Sequence, residues 1–324
     1  MSERNRIIRT AAVGVGSLGR HHARVHAEIS KTGKTEFVGV CDANAETARA
    51  VADEQSCGCF TDWRELLDSV DAVSIATPTE IHAEIAIEFL KRGVHCLVEK
   101  PIARTLAEAD AIIDAAAKSG AKLMVGQLER FNPAIVALKP HVTAPLYFEI
   151  HRISPFPARS LDVDVVLDVM IHDLDMISWF VDAEIAEIRA VGIPILTDKV
   201  DAANVRLEFQ NGTVANITAS RVGAEKIRKM RFYQPNAYVA VDYVTKYAAL
   251  TSLSPDAQNP LFGIRINRLE INDVEPLRAE IEAFIHSISE NQTPPVTGEA
   301  GRKALGLALG VLEQIDEHHA RLTF

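Results

Sequence analysis

Short apolar runs alternate with amphipathic segments through the first 126 residues. "RIIRTAAVGVG" is a β-rich run ending in glycines, and "SLGRHHARVHAEIS" after it has helical spacing. "EFVGVCD" reads as a buried strand and "NAETARAVADEQ" as a second helix opening after a cap. "DAVSIAT", "VHCLVE" and "KLMVG" are further strands; Thr79 opens the helix "EIHAEIAIEFLKRG". Asp62 with Glu65, and Thr105 with Glu108, have capping-box spacing, the second pair preceding the helix "AEADAIIDAAAKSG". Strands alternating with helices imply parallel pairing through right-handed crossovers.

After Gly126 the rhythm changes. "PLYFEIHRI", "EIRAVGIPI", "ANVRLEF", "TVANITASRV", "KIRKMRFYQ" and "AYVAVDYV" are strand-like, with few helices between them. Asn211-Gly212 between two alternating segments is a hairpin signal. "GEAGRKALGLALGVLEQIDEHHA" closes the chain as a helix. The expected architecture is an α/β doubly wound parallel domain over residues 1–126, followed by an α+β domain over 127–324 with a mostly antiparallel open sheet. The chain shows no internal repeat, low-complexity tract or long linker.

The chain's 324 residues can bury two cores, and 48% hydrophobic with 24% charged residues suits a soluble globular protein. A net charge of −10 argues against nucleic acid as a partner, though an anionic substrate can still meet a local basic patch. No apolar run reaches membrane-spanning length, and the N-terminus lacks the apolar stretch of a signal peptide, so a cytoplasmic protein is expected. Cys41, Cys57, Cys59 and Cys96 offer no disulfide framework, and "CGC" has no second ligand pair near it.

Gly14-Val15-Gly16-Ser17-Leu18-Gly19 is GxGxxG between a strand and a helix, the context that gives this pattern meaning. Gly14 permits the tight turn, Gly16 lets backbone approach a pyrophosphate, and Gly19 lets helix and strand pack closely. Ser17 and Leu18 open the helix whose free N–H groups face the phosphates. Asp42 follows the second strand near the distance at which a carboxylate grips the adenosine ribose and repels a 2′-phosphate. NAD is therefore expected over NADP. Asp42 also suits the N-cap of the next helix, and the two roles are compatible.

"VVLDVMIHDLDMISWF" fits a helix with Leu167, Met170, Ile171, Leu174 and Ile177 on one apolar face. Asp168, His172, Asp175 and Trp179 form a separate stripe, and Asp173 points elsewhere, toward solvent. A His pinned one turn from a carboxylate suits general-base work. From these residues alone a solvated helix face is equally good. A metal site is a third option, with thin support because no partner ligand stands elsewhere; no metal is expected.

"VEKPIA" (98–103) follows the fourth strand, where open α/β sheets place ligands. With "AAVGVGSLGRHHARVH", "ATPTEIHAEIA" and "VGQLERFNP", it resembles the Gfo/Idh/MocA family of sugar and polyol dehydrogenases along essentially the whole chain. The resemblance implies that Lys100 sits beside the nicotinamide and stabilises developing alkoxide charge, with a cis peptide before Pro101 aiming it. It implies that Glu99, Thr77, Pro78, His82 and Gln127 line or support the cofactor pocket. It also implies that Asp168 and His172 are the working pair, with Lys100 the third catalytic residue. Met170 departs from the glycine many relatives carry there. "VGQLERFNP" and "SLDVDVVLDVMIHDLDMI" look like the subgroup that oxidises the 3-hydroxyl of UDP-N-acetylglucosamine.

A UDP-sugar needs cations for its diphosphate, for which Arg130, Arg152, Arg159, Arg221 and Arg231 are candidates by charge and position, with Asp175 as a further substrate-side residue. Inositol or free-sugar dehydrogenases, NAD-dependent glycosidases of the same family and a non-catalytic NAD sensor are the competing readings. The intact Lys100, Asp168 and His172 set argues against the sensor. Family analogy also implies a homo-dimer or homo-tetramer.

Overall fold

The computed structural model describes residues 7–156, 163–254 and 263–321. The chain divides into two compact units, Met1–Leu128 with Glu275–Arg302, and Glu129–Val274 with Lys303–Phe324.

The first unit is a six-stranded sheet, with β1 (Ile8–Val13), β2 (Thr35–Cys41), β3 (Gly58–Phe60), β4 (Ala72–Ile75), β5 (His95–Glu99) and β6 (Leu123–Gly126). Every pair is parallel, in the order β3-β2-β1-β4-β5-β6. Chain order reverses between β1 and β4, the switch point at which open α/β sheets leave a crevice outside the strand ends. The connecting helices are α1 (Gly19–Ser30), α2 (Ala45–Gln55), α3 (His82–Lys91) and α4 (Leu106–Ser119).

Local chemistry sets the helix starts. Asn44 caps α2 by accepting from the Thr47 N–H, and Thr105 with Glu108 closes a full capping box on α4. The N-cap of α2 is thus Asn44, two residues beyond the Asp42 that the sequence also suited to that role. The Asp62–Glu65 box closes a 3-10 turn, Trp63–Leu66. Thr79 opens a 3-10 turn, Thr79–Ile81, and α3 itself starts at His82.

A single boundary after Gly126 does not describe the first unit, because Glu275–Arg302 returns to it. Helix α7 (Pro276–Ser289) packs on α1, burying Leu277, Ile281 and Phe284. Arg278 reaches Glu28 at 3.2 Å, Glu275 pairs with Arg24, and the Val125 N–H donates to the Val296 carbonyl at 3.1 Å. The apolar spacing of α7 and its opening proline are plain in the sequence, yet no helix was read there.

The second unit carries an eight-stranded sheet: β7 (Tyr147–Ile153), β8 (Ile185–Ile193), β9 (Ala202–Phe209), β10 (Val214–Ser220), β11 (Ile227–Gln234), β12 (Ala237–Asp242), β13 (Tyr247–Leu253) and β14 (Ile264–Arg268). The order is β14-β13-β12-β11-β7-β10-β9-β8, antiparallel except for β7–β10. The β9–β10 hairpin turns on Gly212, whose φ of +83° is the left-handed region that glycine adopts without strain. Alternate residues are buried along β10 and β11, so one face meets a core and the other stays open. Phe148, Ile150, Ile217, Met230 and Phe232 of that face share a core with Ala134, Ile135 and Leu138 of helix α5 (Pro133–Leu138) and with Met170, Leu174, Ile177 and Phe180 of helix α6 (Ile171–Phe180) and its approach. The last helix, α8 (Gly298–His319), adds Ala304, Ala308, Val311 and Ile315. Among the described residues, no helix is long and apolar enough to cross a membrane.

Candidate active site

Most of the residues expected to face the cofactor follow the carboxyl ends of the parallel strands. After β1, Gly14 has φ +79°, and a Cβ on it would lie 2.7 Å from the Thr77 backbone nitrogen. A Cβ on Gly19 would stand 1.7 Å from the Gly14 carbonyl oxygen, so both positions exclude any side chain. Gly16 differs: it is exposed, and a Cβ there would meet nothing within 4 Å. The open space lies outside the protein surface, where backbone can approach a ligand. Ser17 and Leu18 are exposed beside it, and Leu18 precedes α1 without a side-chain cap. Uncapped N–H groups at a helix start favour an anion.

Asp42 follows β2 half-buried, accepting from the Val15 N–H at 2.9 Å and the Asn44 N–H at 2.9 Å. Each oxygen keeps a further lone pair for a ribose hydroxyl. Thr77 and Pro78 follow β4, and Gln127 follows β6. Gln127 is 1% exposed, and among the described residues neither its Oε1 nor the buried Thr77 Oγ1 has a hydrogen-bond partner. Buried polar atoms of this kind are rare and call for a ligand or water.

Lys100 follows β5, half-buried, and its bond to Pro101 is cis. Glu99 beside it is 6% exposed; its carboxylate takes the Lys100 N–H at 3.2 Å and contacts His22 Nε2 at 2.9 Å. His22 was not singled out in the sequence, although "GRHHARVH" places it on the buried face of α1. His82 is buried between two backbone carbonyls, Thr77 at 2.9 Å and Pro101 at 3.0 Å, tying the loop after β4 to the Lys100 segment. Burial pushes its pKa down, against those two hydrogen bonds.

The second unit holds the Asp168–His172 pair. Val166–Met170 forms a π turn, with the Ile171 N–H reaching back to the Val166 carbonyl, and α6 continues from Ile171. The stretch is therefore a π turn leading into an α-helix, a junction often found at functional sites. Asp168 and His172 lie on either side of it, both half-buried. The turn is anchored from outside: the Val165 N–H donates to the Val200 carbonyl, and Asp164 Oδ1 accepts from the Val200 N–H, each at 2.8 Å.

Helix α6 is covered on nearly every side, and this corrects the reading of Asp173 as solvated. Asp173 has no exposed surface and is held by Arg152 of β7 through Nε and Nη2, both at 2.8 Å. Arg152 also reaches Glu129 at 2.7 Å. Asp175 is paired just as closely with Arg130, at 2.6 and 2.7 Å, and the Arg130 guanidinium lies 5.0 Å from the Trp179 ring. Both carboxyl oxygens accept from a guanidinium in each pair, so both acids are ionised against the desolvation that pushes them upward.

These pairs show how far each candidate substrate cation is already committed. Arg130 and Arg152 are buried and neutralised, and Arg221 is buried against Asp201 at 2.7 Å. Arg231 lies nearly half-exposed on β11, 3.7 Å from Glu149. Arg159 falls outside the described residues. Arg228 is less committed than Arg130, Arg152 or Arg221 and was not among the sequence candidates. It stands on β11 directly across from Arg152, on the strand face that buries Met230 and Phe232. Its side chain is 40% exposed and holds a loose ion pair, 3.8 Å from Glu129. Burial, with repulsion from Arg152, lowers its pKa, while Glu129, Asp173 and Asp168 oppose the shift. Among the described residues no group of three His, Cys, Asp or Glu side chains is placed to hold a metal ion.

Residues 8–127 match the family described as an oxidoreductase family with an NAD-binding Rossmann fold, and residues 147–236 match the GFO/IDH/MocA C-terminal domain. The chain is 41% identical over 305 residues to the UDP-N-acetylglucosamine 3-dehydrogenase of Acidithiobacillus ferrooxidans, covering 94% of this chain and 96% of that protein. This chain belongs to the Gfo/Idh/MocA family. It is an oxidoreductase whose first unit is the NAD-binding domain, as the sequence motifs implied. The solved structure of the Acidithiobacillus enzyme matches with a TM-score of 0.90 at 39% identity, covering 97% of this chain and 99% of that one. The myo-inositol 2-dehydrogenase of Thermotoga maritima is 24% identical over 330 residues, 96% of this chain and 97% of that protein. A levoglucosan dehydrogenase solved with NADH and levoglucosan shares the Gfo/Idh/MocA fold, with a TM-score of 0.87 at 20% identity over 96% of this chain and 98% of that one.

Proposed function

We propose that this protein is an NAD-dependent dehydrogenase that oxidises the 3-hydroxyl of UDP-N-acetylglucosamine. The observation that carries the reading is the 41% identity to the enzyme of that activity over nearly the full length of both chains.

The residues of the first unit suit NAD. The space at Gly16 accommodates a pyrophosphate at the start of α1, and Asp42 offers acceptors to the adenosine ribose while repelling a 2′-phosphate. Thr77 Oγ1 and Gln127 Oε1 offer buried polar atoms without protein partners. When bound, NAD supplies the hydride acceptor.

The chain's own groups handle the proton and the charge. His172 takes the proton of the substrate hydroxyl at a ring nitrogen, and Asp168 orients the ring and stabilises the imidazolium. The Lys100 ammonium stabilises negative charge on the substrate oxygen as the proton leaves. Both are needed because an alcohol is a very weak acid at neutral pH. Arg228 receives the diphosphate, since its guanidinium is part-exposed and only loosely paired.

The test is an NADH-absorbance screen of UDP-sugars, free sugars and inositols. Turnover of UDP-N-acetylglucosamine with NAD, above that of its 4-epimer and of free N-acetylglucosamine, is expected. Turnover of free inositols with none on UDP-N-acetylglucosamine would overturn the reading in favour of the inositol dehydrogenases that this chain also resembles.

A further inference from the structure

Glu280, in the middle of α7, has no exposed surface, and among the described residues neither of its carboxyl oxygens has a hydrogen-bond partner. An ionised carboxylate in that setting is costly, whereas a neutral carboxyl needs one acceptor for its proton and a donor for its other oxygen. Its helix packs against β5, the strand that ends at Glu99, the residue before Lys100. Both carboxyls are buried on elements that pack together, and like charges so placed cannot both ionise without a large penalty. Glu99 is the one with donors around it, His22 on one oxygen and the Lys100 N–H on the other. Burial and the Glu99 charge both drive Glu280 toward its protonated form, far above the usual carboxyl range.

We propose that Glu280 is a neutral carboxylic acid that donates through a buried water to the Glu99 carboxylate, and thereby positions the Lys100 segment. A water is the bridging group because, among the described residues, no side chain hydrogen-bonds either oxygen of Glu280, and a site with several buried polar atoms is where ordered water is held. Nδ1 of His22, also buried and unpartnered among the described residues, offers such a water an additional acceptor or donor. Glu280 touches neither substrate nor cofactor in this scheme. It acts through Glu99, and the role rests on the function proposed above for Lys100.

The other titratable groups on the packed elements do not supply this proton. On α1, Arg24 and Glu28 pair with Glu275 and Arg278, and His26 is bound to Ser74 at 2.8 Å, with burial pushing it down to about 3. His22 is committed to Glu99.

The test compares the full-length wild type with Glu280→Gln and Glu280→Leu. Infrared difference spectra at neutral pH should show a protonated-carboxyl band in the wild type that Glu280→Gln removes; this arm needs neither substrate nor a role for Lys100. Glu280→Gln keeps a donor and should retain kcat within about threefold. Glu280→Leu should lower kcat at least about tenfold with NADH affinity held within about threefold. Absence of the carboxyl band, or wild-type kcat in Glu280→Leu, overturns the proposal. If Glu280→Leu does not fold, Glu280→Gln decides, and a carboxyl band that survives in it, or a kcat lowered about tenfold or more, overturns the proposal. A protein that shows the band but oxidises no sugar or polyol leaves Glu280 assigned as the neutral acid and refutes the reaction proposed for Lys100.

Discussion

Arg152 and Asp173 meet through two parallel hydrogen bonds of 2.8 Å, with side-chain exposures of 3% and 0%. The pair joins β7 to α6 and lies next in sequence to His172, so it fixes the helix that carries the proton-transfer residues. Removing one partner leaves the other charge buried without compensation. Asp173→Asn is expected to cost about 3–5 kcal/mol of unfolding free energy, and the double variant Arg152→Met/Asp173→Leu less than that. Denaturant unfolding measures both, and an unchanged midpoint for Asp173→Asn would restore Asp173 to the solvent.

Gly16 and Gly19 belong to one motif but should respond oppositely to alanine. At Gly19 the new methyl meets the Gly14 carbonyl 1.7 Å away, so Gly19→Ala should destabilise the fold by about 1–3 kcal/mol or more. At Gly16 it meets no protein atom within 4 Å, so stability should stay within about 0.5 kcal/mol. If a pyrophosphate packs on that backbone, Gly16→Ala should still weaken NADH binding about tenfold or more, about 1.4 kcal/mol or more. Thermal unfolding and calorimetric titration separate the two effects. Unaltered NADH affinity in Gly16→Ala would move the pyrophosphate elsewhere.

His172→Ala should lower kcat by about 10²–10⁴, the range for losing a general base, while NADH affinity stays near the wild-type value. Steady-state kinetics with NADH fluorescence titration checks both. Loss of cofactor binding with the chemistry intact would give His172 a different role.

Arg228→Ala should raise KM for the nucleotide sugar about 10–100-fold, the value of a charge-assisted contact, with kcat changed little. Arg228→Lys should recover part of the loss. A collapse of kcat at constant KM would instead make Arg228 a partner of Asp168.

His26 gives a pH dependence with a definite sign. Burial pushes its pKa from 6.5 down to about 3, so the unfolded chain takes up a proton that the folded chain refuses. Its contribution is complete above pH 6.5 and is lost as pH falls from there toward about 3. The slope reaches about 1.4 kcal/mol per pH unit for this one group. Urea unfolding from pH 7 to pH 4 should be steeper in the wild type than in His26→Gln, and equal slopes would disprove this assignment.

The chemistry that depends on neighbours in sequence was legible without a fold. GxGxxG between a strand and a helix, Asp42 after the second strand, Glu-Lys-Pro after β5, the Thr105–Glu108 box and the Asn-Gly turn all act over a few residues. Their spacing carries the physics. Strand-like runs likewise exposed six strands of the second sheet, because a sheet with one open face writes its pattern on its central strands, as on β7, β9, β10 and β11. What lies far apart in sequence was decided only by tertiary structure. Asp173 looked solvent-facing because one helix was read as having one buried side, while Arg152 arrives from 21 residues earlier to cover the other. Arg130 and Arg152 looked available for a substrate because a guanidinium's partner is set by packing, and Asp175 and Asp173 had already claimed them. The return of α7 to the first unit, and with it the burial of Glu280 near Glu99, follows from contacts across more than 150 residues of chain. Sequence periodicity records which side of an element is apolar; it does not record which charge a distant strand brings to the other side.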